Sequence, residues 1–156
     1  MSHLYLSAAH KSSGKTTIAI GLCAALRERM HLKVQPFKKG PDYIDPLWLG
    51  AAAERPCHNL DIFMESADAN LRNFRTAMTD AEIGVIEGNK GLFDGVSVDG
   101  SDSNAAMAEL LQAPVVLVID TRGITRGIAP LLHGYSTFSS AITIAGVILN
   151  QVGGER

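Results

Sequence analysis

The sequence of 156 residues predicts an α/β fold in which a doubly wound, mostly parallel sheet is flanked by helices. Three observations lead to this prediction. Apolar, β-branched runs alternate with segments that have the period of a helix. Some runs, residues 114–119 among them, are apolar throughout, which is typical of parallel strands covered on both faces. Glycine and polar residues follow several of these runs, at the strand ends where such sheets bind ligands.

Five apolar runs are the predicted strands. The first surrounds Leu4, Tyr5 and Leu6, and the third runs from Ile83 to Glu87 and so ends in a carboxylate. In chain order the predicted strands are residues 3–8, 33–37, 83–87, 115–120 and 142–150. Alternation of strands with helices implies right-handed crossover connections between parallel strands.

Four segments between these runs have helical periodicity, and the first begins at Lys15 with apolar residues from Ile18 to Leu26. In chain order the predicted helices are residues 15–29, 67–78, 103–111 and 124–135. No repeat, low-complexity tract or linker interrupts the pattern, so residues 1–156 are predicted to form a single domain. Trp48 and Phe63 are expected to pack in a local core of the loop region.

Composition narrows the class of protein. Hydrophobic residues make up 46% of the chain and charged residues 19%, with a formal net charge of −2, which is typical of a soluble globular protein and gives no sign of general nucleic-acid affinity. No apolar run has the length of a membrane span, and the N-terminus lacks a signal peptide. Cys23 and Cys57 are too few for a disulfide framework, so a cytoplasmic location is expected.

The segment from Ser7 to Thr17 predicts a phosphate-binding P-loop between a strand and a helix, although Ala9 replaces the usual first glycine. Backbone N–H groups at the helix N-terminus attract an anion. Lys15 is expected to reach the β- and γ-phosphates, and Thr16 to bind Mg²⁺. The predicted cofactors are ATP and Mg²⁺, and the predicted binding residues are Ser12, Ser13, Gly14, Lys15, Thr16 and Thr17. The alternative is an ordinary strand–helix turn that contains Gly-Lys-Thr.

Carboxylates at two other strand ends predict a magnesium site. Asp42 and Asp45 lie in a loop shaped by Gly-Pro and Asp-Pro sequences after the second strand, and Glu87 ends the third. Because Mg²⁺ prefers oxygen ligands, the predicted set is Thr16, Asp42 and Glu87. Solvated turn residues and a strand-end acid that meets water are the alternatives.

The glycine-rich run from Gly88 to Gly95 predicts a loop that approaches a ligand closely. Within it, Lys90 is a candidate for stabilising transferring phosphoryl charge, and Asp94 is a candidate substrate-facing acid. Asp120 ends the fourth strand, where it either supports the magnesium water shell or caps the next helix. Asn150 ends the fifth strand and is a candidate for reading the adenine edge.

Several motifs together resemble the cobyrinic acid a,c-diamide synthase family. They comprise residues 34–38, 40–45, 59–61, 87–88, 91–95 and 145–150, which occur in the family's order over almost the whole chain. The sequence from Gly40 to Tyr43 is the most specific of them. The resemblance implies a P-loop NTPase-like fold of the dethiobiotin-synthetase type.

The resemblance also implies an ATP-dependent amidotransferase that converts acetate side chains of a corrin-type tetrapyrrole into acetamides. ATP would phosphorylate a carboxylate, and ammonia from glutamine would displace the phosphate. By position, Tyr43, Ile44 and Asp94 match residues that govern amidation, and Asn150 matches a nucleotide-base position. The catalytic residues expected from motif and resemblance together are Asp42, Tyr43, Glu87, Lys90 and Asp94.

The family carries a C-terminal glutaminase domain with a nucleophilic cysteine, and neither Cys23 nor Cys57 has the sequence context of such a nucleophile. The chain is therefore expected to be the ATP-binding synthetase half, a fragment that stops at residues 153–156 just after a strand. Its expected partners are a tetrapyrrole carboxylic acid, the glutaminase domain and a second copy in a homodimer. Nucleic acid and membrane are not expected.

Four other functions stay open at this stage. Asn89 and Lys90 replace the small, apolar pair usual in the family, which favours a different tetrapyrrole such as a sirohaem or sirohydrochlorin derivative. A dethiobiotin-synthetase-like ligase shares the fold class but lacks the motif at residues 40–45. A nucleotide-switched partitioning ATPase would carry a lysine where this chain has His10. A domain that only binds nucleotide is the last alternative.

Overall fold

The computed structural model describes residues 2–154. The strands of this region are β1 (Ser2–Ala8), β2 (Val34–Lys39), β3 (His58–Leu60), β4 (Ile83–Glu87), β5 (Val115–Asp120) and β6 (Ile144–Asn150). They form one sheet in the order β3-β2-β4-β1-β5-β6, and every neighbouring pair is parallel. The predicted strands at 83–87 and 115–120 are confirmed to the residue.

Five helices connect these strands: α1 (Lys15–Met30), α2 (Asp45–Ala53), α3 (Ala67–Ala77), α4 (Asn104–Leu110) and α5 (Ile128–Thr137). The prediction that α5 starts at residue 124 was wrong by one turn, because residues 121–127 form turns that precede it. Sequence analysis missed β3, whose three residues are too few to show a period. It also missed α2, which carries a proline in its first turn, where a helix tolerates one.

Helices cover both faces of the sheet, as the doubly wound prediction requires. One core lies under α1 and α2 and includes Leu6, Cys23 and Leu49. The other lies under α3, α4 and α5 and includes Tyr5 and Phe37. Strands that are buried on both sides explain why the central runs of the sequence are continuously apolar.

Strand β1 lies at the point where the order of the sheet reverses, because the chain runs from β1 out to β2 and β3 on one side, returns to β4, and crosses to β5 on the other. Ligands of open α/β sheets bind at the carboxyl ends of the strands beside such a switch point. The loop from β1 to α1 occupies this position. Among residues 2–154, no helix is both long enough and apolar enough to cross a membrane.

Candidate nucleotide and carboxylate site

The loop between β1 and α1 is a tight turn held from several sides. Ser12 has φ 63° and Gly14 φ 89°, a left-handed conformation that glycine adopts without strain. The Ser13 hydroxyl donates to the carbonyl of His10 at 2.7 Å, and the amide of Asn150 donates to the carbonyl of Ser13 at 2.9 Å. These contacts shape the loop where backbone N–H groups of α1 face the carboxyl edge of the sheet.

Lys15 and Thr16 start α1 and face the ends of β2 and β4. Lys15 is buried, and burial lowers its pKa, an effect that the charge of Glu87 opposes. The Thr16 hydroxyl donates to Oε1 of Glu87 at 2.6 Å and lies 3.3 Å from Oδ2 of Asp45. Two carboxylates from different loops therefore meet the first turn of α1.

Lys38 joins these carboxylates. Its Nζ lies 2.6 Å from Oδ2 of Asp45, 3.2 Å from Oε2 of Glu87 and 3.9 Å from Oδ2 of Asp42. Lys38 and Glu87 are paired across β2 and β4, so the sheet register itself sets their proximity. We call Thr16, Lys38, Asp45 and Glu87 the carboxylate–lysine cluster.

Electrostatics of the cluster follow from its burial. Burial raises the pKa of the Glu87 carboxyl, and the Lys38 charge and the Thr16 hydrogen bond oppose that rise. Burial also lowers the pKa of Lys38, but the charges of Glu87 and Asp45 outweigh it, so the pKa of this ammonium is raised overall. Lys38 is therefore protonated at neutral pH and holds Glu87 by attraction.

The donor set of the cluster fits a magnesium ion that is shared with phosphate. Among residues 2–154, no three His, Cys, Asp or Glu side chains group closely enough to hold a metal ion alone. Mg²⁺, however, commonly binds one or two carboxylates together with phosphate oxygens and water. Oε2 of the fully buried Glu87 contacts Lys38 but accepts no hydrogen bond from the described residues. That oxygen, which has only the Lys38 ammonium beside it, and the Thr16 hydroxyl are the candidate oxygen ligands.

Asp42, the other acid predicted to bind metal, shapes its own loop. Its Oδ1 accepts from the backbone N–H of Ile44 at 2.9 Å and of Asp45 at 3.1 Å. The amide of Asn59 donates to the Asp42 carbonyl at 2.7 Å and ties the loop to β3. The structure thus brings Thr16 and Glu87 into direct contact and presents Asp45 as the nearer carboxylate, so metal binding by Asp42 stays a prediction.

Comparison with known proteins establishes the family. The family described as "CobQ/CobB/MinD/ParA nucleotide binding domain" matches residues 8–156. The chain belongs to this family. A cobyrinate a,c-diamide synthase from Magnetococcus marinus is 52% identical over 153 residues, which are 98% of this chain and 32% of that protein. A hydrogenobyrinate a,c-diamide synthase from Mycobacterium tuberculosis is 47% identical over 161 residues, covering 100% of this chain and 35% of that protein.

The chain, a member of this nucleotide-binding family, spans about a third of the length of the curated relatives it matches. Among solved structures, chloroplast FtsY from Physcomitrella patens has a TM-score of 0.60 at 18% identity, over 95% of this chain and 49% of that one. HypB from Archaeoglobus fulgidus has a TM-score of 0.53 at 12% identity, over 94% and 80%. These likenesses confirm the predicted P-loop NTPase-like fold.

The glycine-rich loop after β4 is fastened by Asn104. Its Oδ1 accepts from the Tyr5 hydroxyl at 2.9 Å and from the backbone N–H of Asn89 at 3.0 Å, and its amide donates to the carbonyls of Asn89 and Gly91. Gly88 is needed here because a Cβ would collide with the Asn104 side chain. Every polar group of this buried amide is therefore paired.

The predicted residues of that loop stand apart from the carboxylate–lysine cluster. Asp94 accepts from the backbone N–H of Gly91 at 3.0 Å, and Lys90 is exposed with φ 40°. Neither makes a hydrogen bond or ion pair with the cluster within residues 2–154. Tyr43 is 80% exposed beside Asp42. The predicted roles of these three side chains toward substrate stay predictions.

Asp120 and Asn150 have contacts that the sequence did not suggest. Arg122 donates to both carboxylate oxygens of Asp120, at 2.6 Å from its closest nitrogen. Helix α5 starts after Gly127 without a side-chain cap, so Asp120 does not cap the next helix, and the other alternative, support of a magnesium water shell, stays a prediction. Asn150 braces the P-loop through Ser13, and its contact with adenine stays a prediction.

Large apolar side chains surround the carboxyl edge of β2, β3 and β4. Trp48 and Phe63 are 62% and 59% exposed, so the expectation that they pack in a local core was wrong. The loop after β2 and the start of α2 provide exposed Tyr43, Ile44, Leu47 and Trp48, the loop after β3 provides Phe63 and Met64, and the loop after β4 provides Val96 and Val98. Exposed apolar residues in such numbers indicate a binding surface.

Sequence analysis missed the bridging role of Lys38, the contact of Asp45 with Thr16, and the fastening role of Asn104. Lys38 had a signal, since a buried strand that ends in two lysines must pair at least one of them. The sequence carries no signal for the fastening role of Asn104 beyond the position of this residue at the start of a helix. Tyr135, whose hydroxyl donates to the carbonyl of Ala9 in the P-loop at 2.6 Å, also had none.

Proposed function

We propose that the chain is the ATP-dependent part of an enzyme that amidates carboxylate side chains of a corrin-type tetrapyrrole. The observation that carries the proposal is the carboxylate–lysine cluster, in which Asp45 of the loop at residues 40–45 contacts Thr16 of the P-loop. Relatives named as cobyrinate and hydrogenobyrinate a,c-diamide synthases support the choice of substrate. Residues 1–156 are the ATP-binding domain in this proposal.

The proposed reaction has two steps. A carboxylate oxygen of the tetrapyrrole attacks the γ-phosphorus of ATP, which forms an acyl phosphate and releases ADP. Ammonia, released from glutamine by a separate glutaminase domain, then attacks the carbonyl carbon, and inorganic phosphate leaves with that oxygen. A free carboxylate resists ammonia because its oxygen is a poor leaving group, so the work of this domain is to position and activate it.

Each element of the site has a part in this proposal. Lys15 and the N–H groups of α1 bind the phosphates, and Lys38 compensates charge beside Glu87. Thr16, Glu87 and Asp45 would hold Mg²⁺, which supplies positive charge that screens the triphosphate from an anionic acceptor. The exposed apolar residues after β2, β3 and β4 suit the body of a large, flat acceptor.

The experiment uses the full-length protein that contains these residues, with cobyrinate, ATP, Mg²⁺ and glutamine or ammonia. Phosphate release is expected to depend on the acceptor, and mass spectrometry is expected to show two amides in place of two carboxylic acids. With acceptor carboxylates labelled by ¹⁸O, each amide formed is expected to deliver one labelled oxygen to inorganic phosphate. Amide formation without transfer of the label would contradict the acyl phosphate.

Two results would redirect the proposal. Turnover of a sirohydrochlorin-type acid but not of cobyrinate would change the substrate and keep the chemistry. ATP hydrolysis that ignores every acceptor, together with nucleotide-dependent dimerisation, would favour a nucleotide switch. A Lys15→Ala variant tests the P-loop in either case, because ATP affinity measured by calorimetry is expected to be lost, while Lys33→Ala at the opposite end of β2 serves as the control.

A further inference from the structure

Lys39, the last residue of β2, is buried without a partner. Only 4% of its surface is exposed. Within residues 2–154, its ammonium makes no hydrogen bond and no ion pair within 4.0 Å, whereas Lys38 beside it contacts Asp45 and Glu87. Because successive side chains of a strand point to opposite faces, Lys39 faces away from the carboxylate–lysine cluster. The side chains of Lys38 and Lys39 therefore lie on opposite faces of the sheet and have different neighbours.

Burying most of a lysine side chain whose ammonium has no ion pair is costly, and long charged side chains are rarely buried unless they are paired. The Lys39 ammonium itself keeps some contact with solvent, since it is not among the fully buried unpaired atoms of the described residues. The charges that face Lys39 are Asp61 after β3, Asp102 before α4 and Lys90 in the glycine-rich loop. Burial lowers the pKa of Lys39, and the two carboxylates oppose this only in part. Neither acid comes within ion-pair distance, so the positive charge is compensated only in part.

Both acids are already engaged by their own turns. Asp102 accepts from the backbone N–H of Val96 at 2.8 Å with one oxygen and of Ser97 at 2.9 Å with the other. Asp61 accepts from the backbone N–H of Phe63 at 2.9 Å. These hydrogen bonds hold the carboxylates in place and away from Lys39, so the ammonium keeps its capacity for another anion.

A second unpaired group lies on the neighbouring strand end. The side-chain amide of Asn89 lies beside Gly40, the residue after Lys39, and makes no hydrogen bond with the described residues. Its Oδ1 is buried. Lys39 follows Lys38, which is paired with Glu87, so Lys39 and Asn89 stand at the adjoining ends of β2 and β4. The buried Oδ1 of Asn89 is an acceptor and suits a donor of a ligand, whereas its amide N–H and the Lys39 ammonium, at adjoining strand ends, are donors that suit a carboxylate.

We propose that Lys39 and Asn89, with Lys90 at the rim, bind a carboxylate of the acceptor that is not the one being phosphorylated. This inference rests on the proposed function, because it names how the acceptor is oriented at that site. The reacting carboxylate lies on the Lys38 side, next to the nucleotide. A polycarboxylate held at a second point presents one chosen side chain to the γ-phosphate, which makes Lys39 a specificity-determining residue.

The test compares Lys39→Met, which keeps the apolar stem, with Lys39→Arg, which keeps the charge, and with Lys33→Met at the exposed opposite end of β2 as control. In the full-length protein, cobyrinate binding is followed by absorbance and ATP binding by calorimetry. Lys39→Met is expected to weaken cobyrinate binding about tenfold or more, which is the loss expected for one charge-assisted contact. Lys39→Arg is expected to restore much of it, and ATP affinity is expected to be unchanged in every variant.

Turnover separates this role from a structural one. In Lys39→Met the KM for the acceptor is expected to rise while kcat and the KM for ATP are kept. If Lys39→Met does not fold, Lys39→Gln, which keeps a hydrogen-bond donor but not the charge, is expected to give the same loss of cobyrinate affinity. Unchanged cobyrinate affinity in the folded variant overturns the inference while the proposed function stands.

Benzenehexacarboxylate is the second probe, and it separates the inference from the proposed function. A parent protein that binds this probe but not cobyrinate, with binding lost in Lys39→Met, keeps the carboxylate site and overturns the corrin substrate. A parent protein that binds neither probe overturns both.

Discussion

The hydroxyl of Thr16 donates to Oε1 of Glu87 across 2.6 Å, and this contact joins the first turn of α1 to the end of β4. Glu87 is fully buried and also contacts Lys38, so the hydroxyl and the ammonium hold opposite oxygens of one carboxylate. Thr16 follows β1, Lys38 lies near the end of β2 and Glu87 ends β4. The carboxyl ends of these three strands meet at the switch point of the sheet. A change in Glu87 is therefore felt by both the phosphate loop and β2.

Replacement of Glu87 by glutamine is expected to lower kcat by about 100-fold, because the proposed magnesium site would lose a charged ligand. ATP affinity is expected to fall by less, since the P-loop is kept. Initial rates and calorimetric titration measure the two effects. Glu82→Gln, at the exposed residue just before the same strand, is the control and is expected to turn over at the parent rate. Equal kcat in both variants would contradict the role of Glu87.

The variants Asp45→Asn and Asp42→Asn test which aspartate of the loop at residues 40–45 acts together with Thr16. Asp45 lies 2.6 Å from Lys38 and 3.3 Å from Thr16, whereas Asp42 accepts from two backbone N–H groups. We expect Asp45→Asn to lower kcat by about tenfold or more. Asp42→Asn keeps a side-chain oxygen for those N–H groups and is expected to lose less. The initial rates of both variants, measured as a function of magnesium concentration, check that Asp45→Asn loses more activity. A larger loss in Asp42→Asn would assign the role beside Thr16 to Asp42 instead.

Asn104→Leu is expected to destabilise the domain strongly. The change leaves the Tyr5 hydroxyl and the backbone groups of Asn89 and Gly91 without their partner. The expected loss is about 3 kcal/mol, since buried polar groups become unpaired. For a domain of this size that lowers Tm by roughly 6–12 °C. Calorimetric melting measures it, and the exposed Asn73→Ala on α3, expected to change stability by less than about 0.5 kcal/mol, is the control.

Tyr135→Phe removes the hydrogen bond from α5 to the Ala9 carbonyl at the start of the P-loop. We expect ATP affinity to fall by roughly three- to tenfold, because one hydrogen bond contributes about 1 kcal/mol to holding the loop in place. Calorimetric titration of ATP measures the change. Phe138→Leu is the matched control, because Phe138 packs on Phe93 from the same helix but makes no polar contact with the loop. A similar loss in both variants would mean that packing of α5 is what matters.

The rate of thiol alkylation tests the pKa of the two cysteines that lie on the face of the sheet covered by α1 and α2. Burial raises the pKa of Cys23 and of Cys57 to about 12, so both are protonated at pH 8. Their thiolate fraction is then lower than that of a free cysteine by on the order of 10³. The iodoacetamide rate of the Cys57 peptide, read by mass spectrometry, is expected to rise about tenfold per pH unit up to pH 10. The chain unfolded in guanidinium is the control, and its rate is expected to flatten between about pH 9 and pH 10 as the free thiol becomes fully ionised. The same flattening in the folded protein would contradict the raised pKa.

Local sequence was sufficient for much of the fold and for the phosphate loop. Strands β4 and β5 were predicted to the residue, because buried parallel strands are continuous apolar runs with clear ends. The P-loop was predictable because its glycine, lysine and threonine act through adjacent backbone groups. Elements that are too short to show a hydrophobic period, such as β3, could not be predicted from the sequence.

Tertiary structure alone decided which side chains of the carboxyl edge work together. Thr16 meets Glu87 across 71 positions of sequence and Asp45 across 29, and no local pattern encodes such distances. The sheet order puts β4 between β1 and β2, and this pairs Lys38 with Glu87. Strand alternation then turns Lys39 to the other face. Residue types and strand ends are thus properties of the sequence, but the partners of each charge follow from strand order and register.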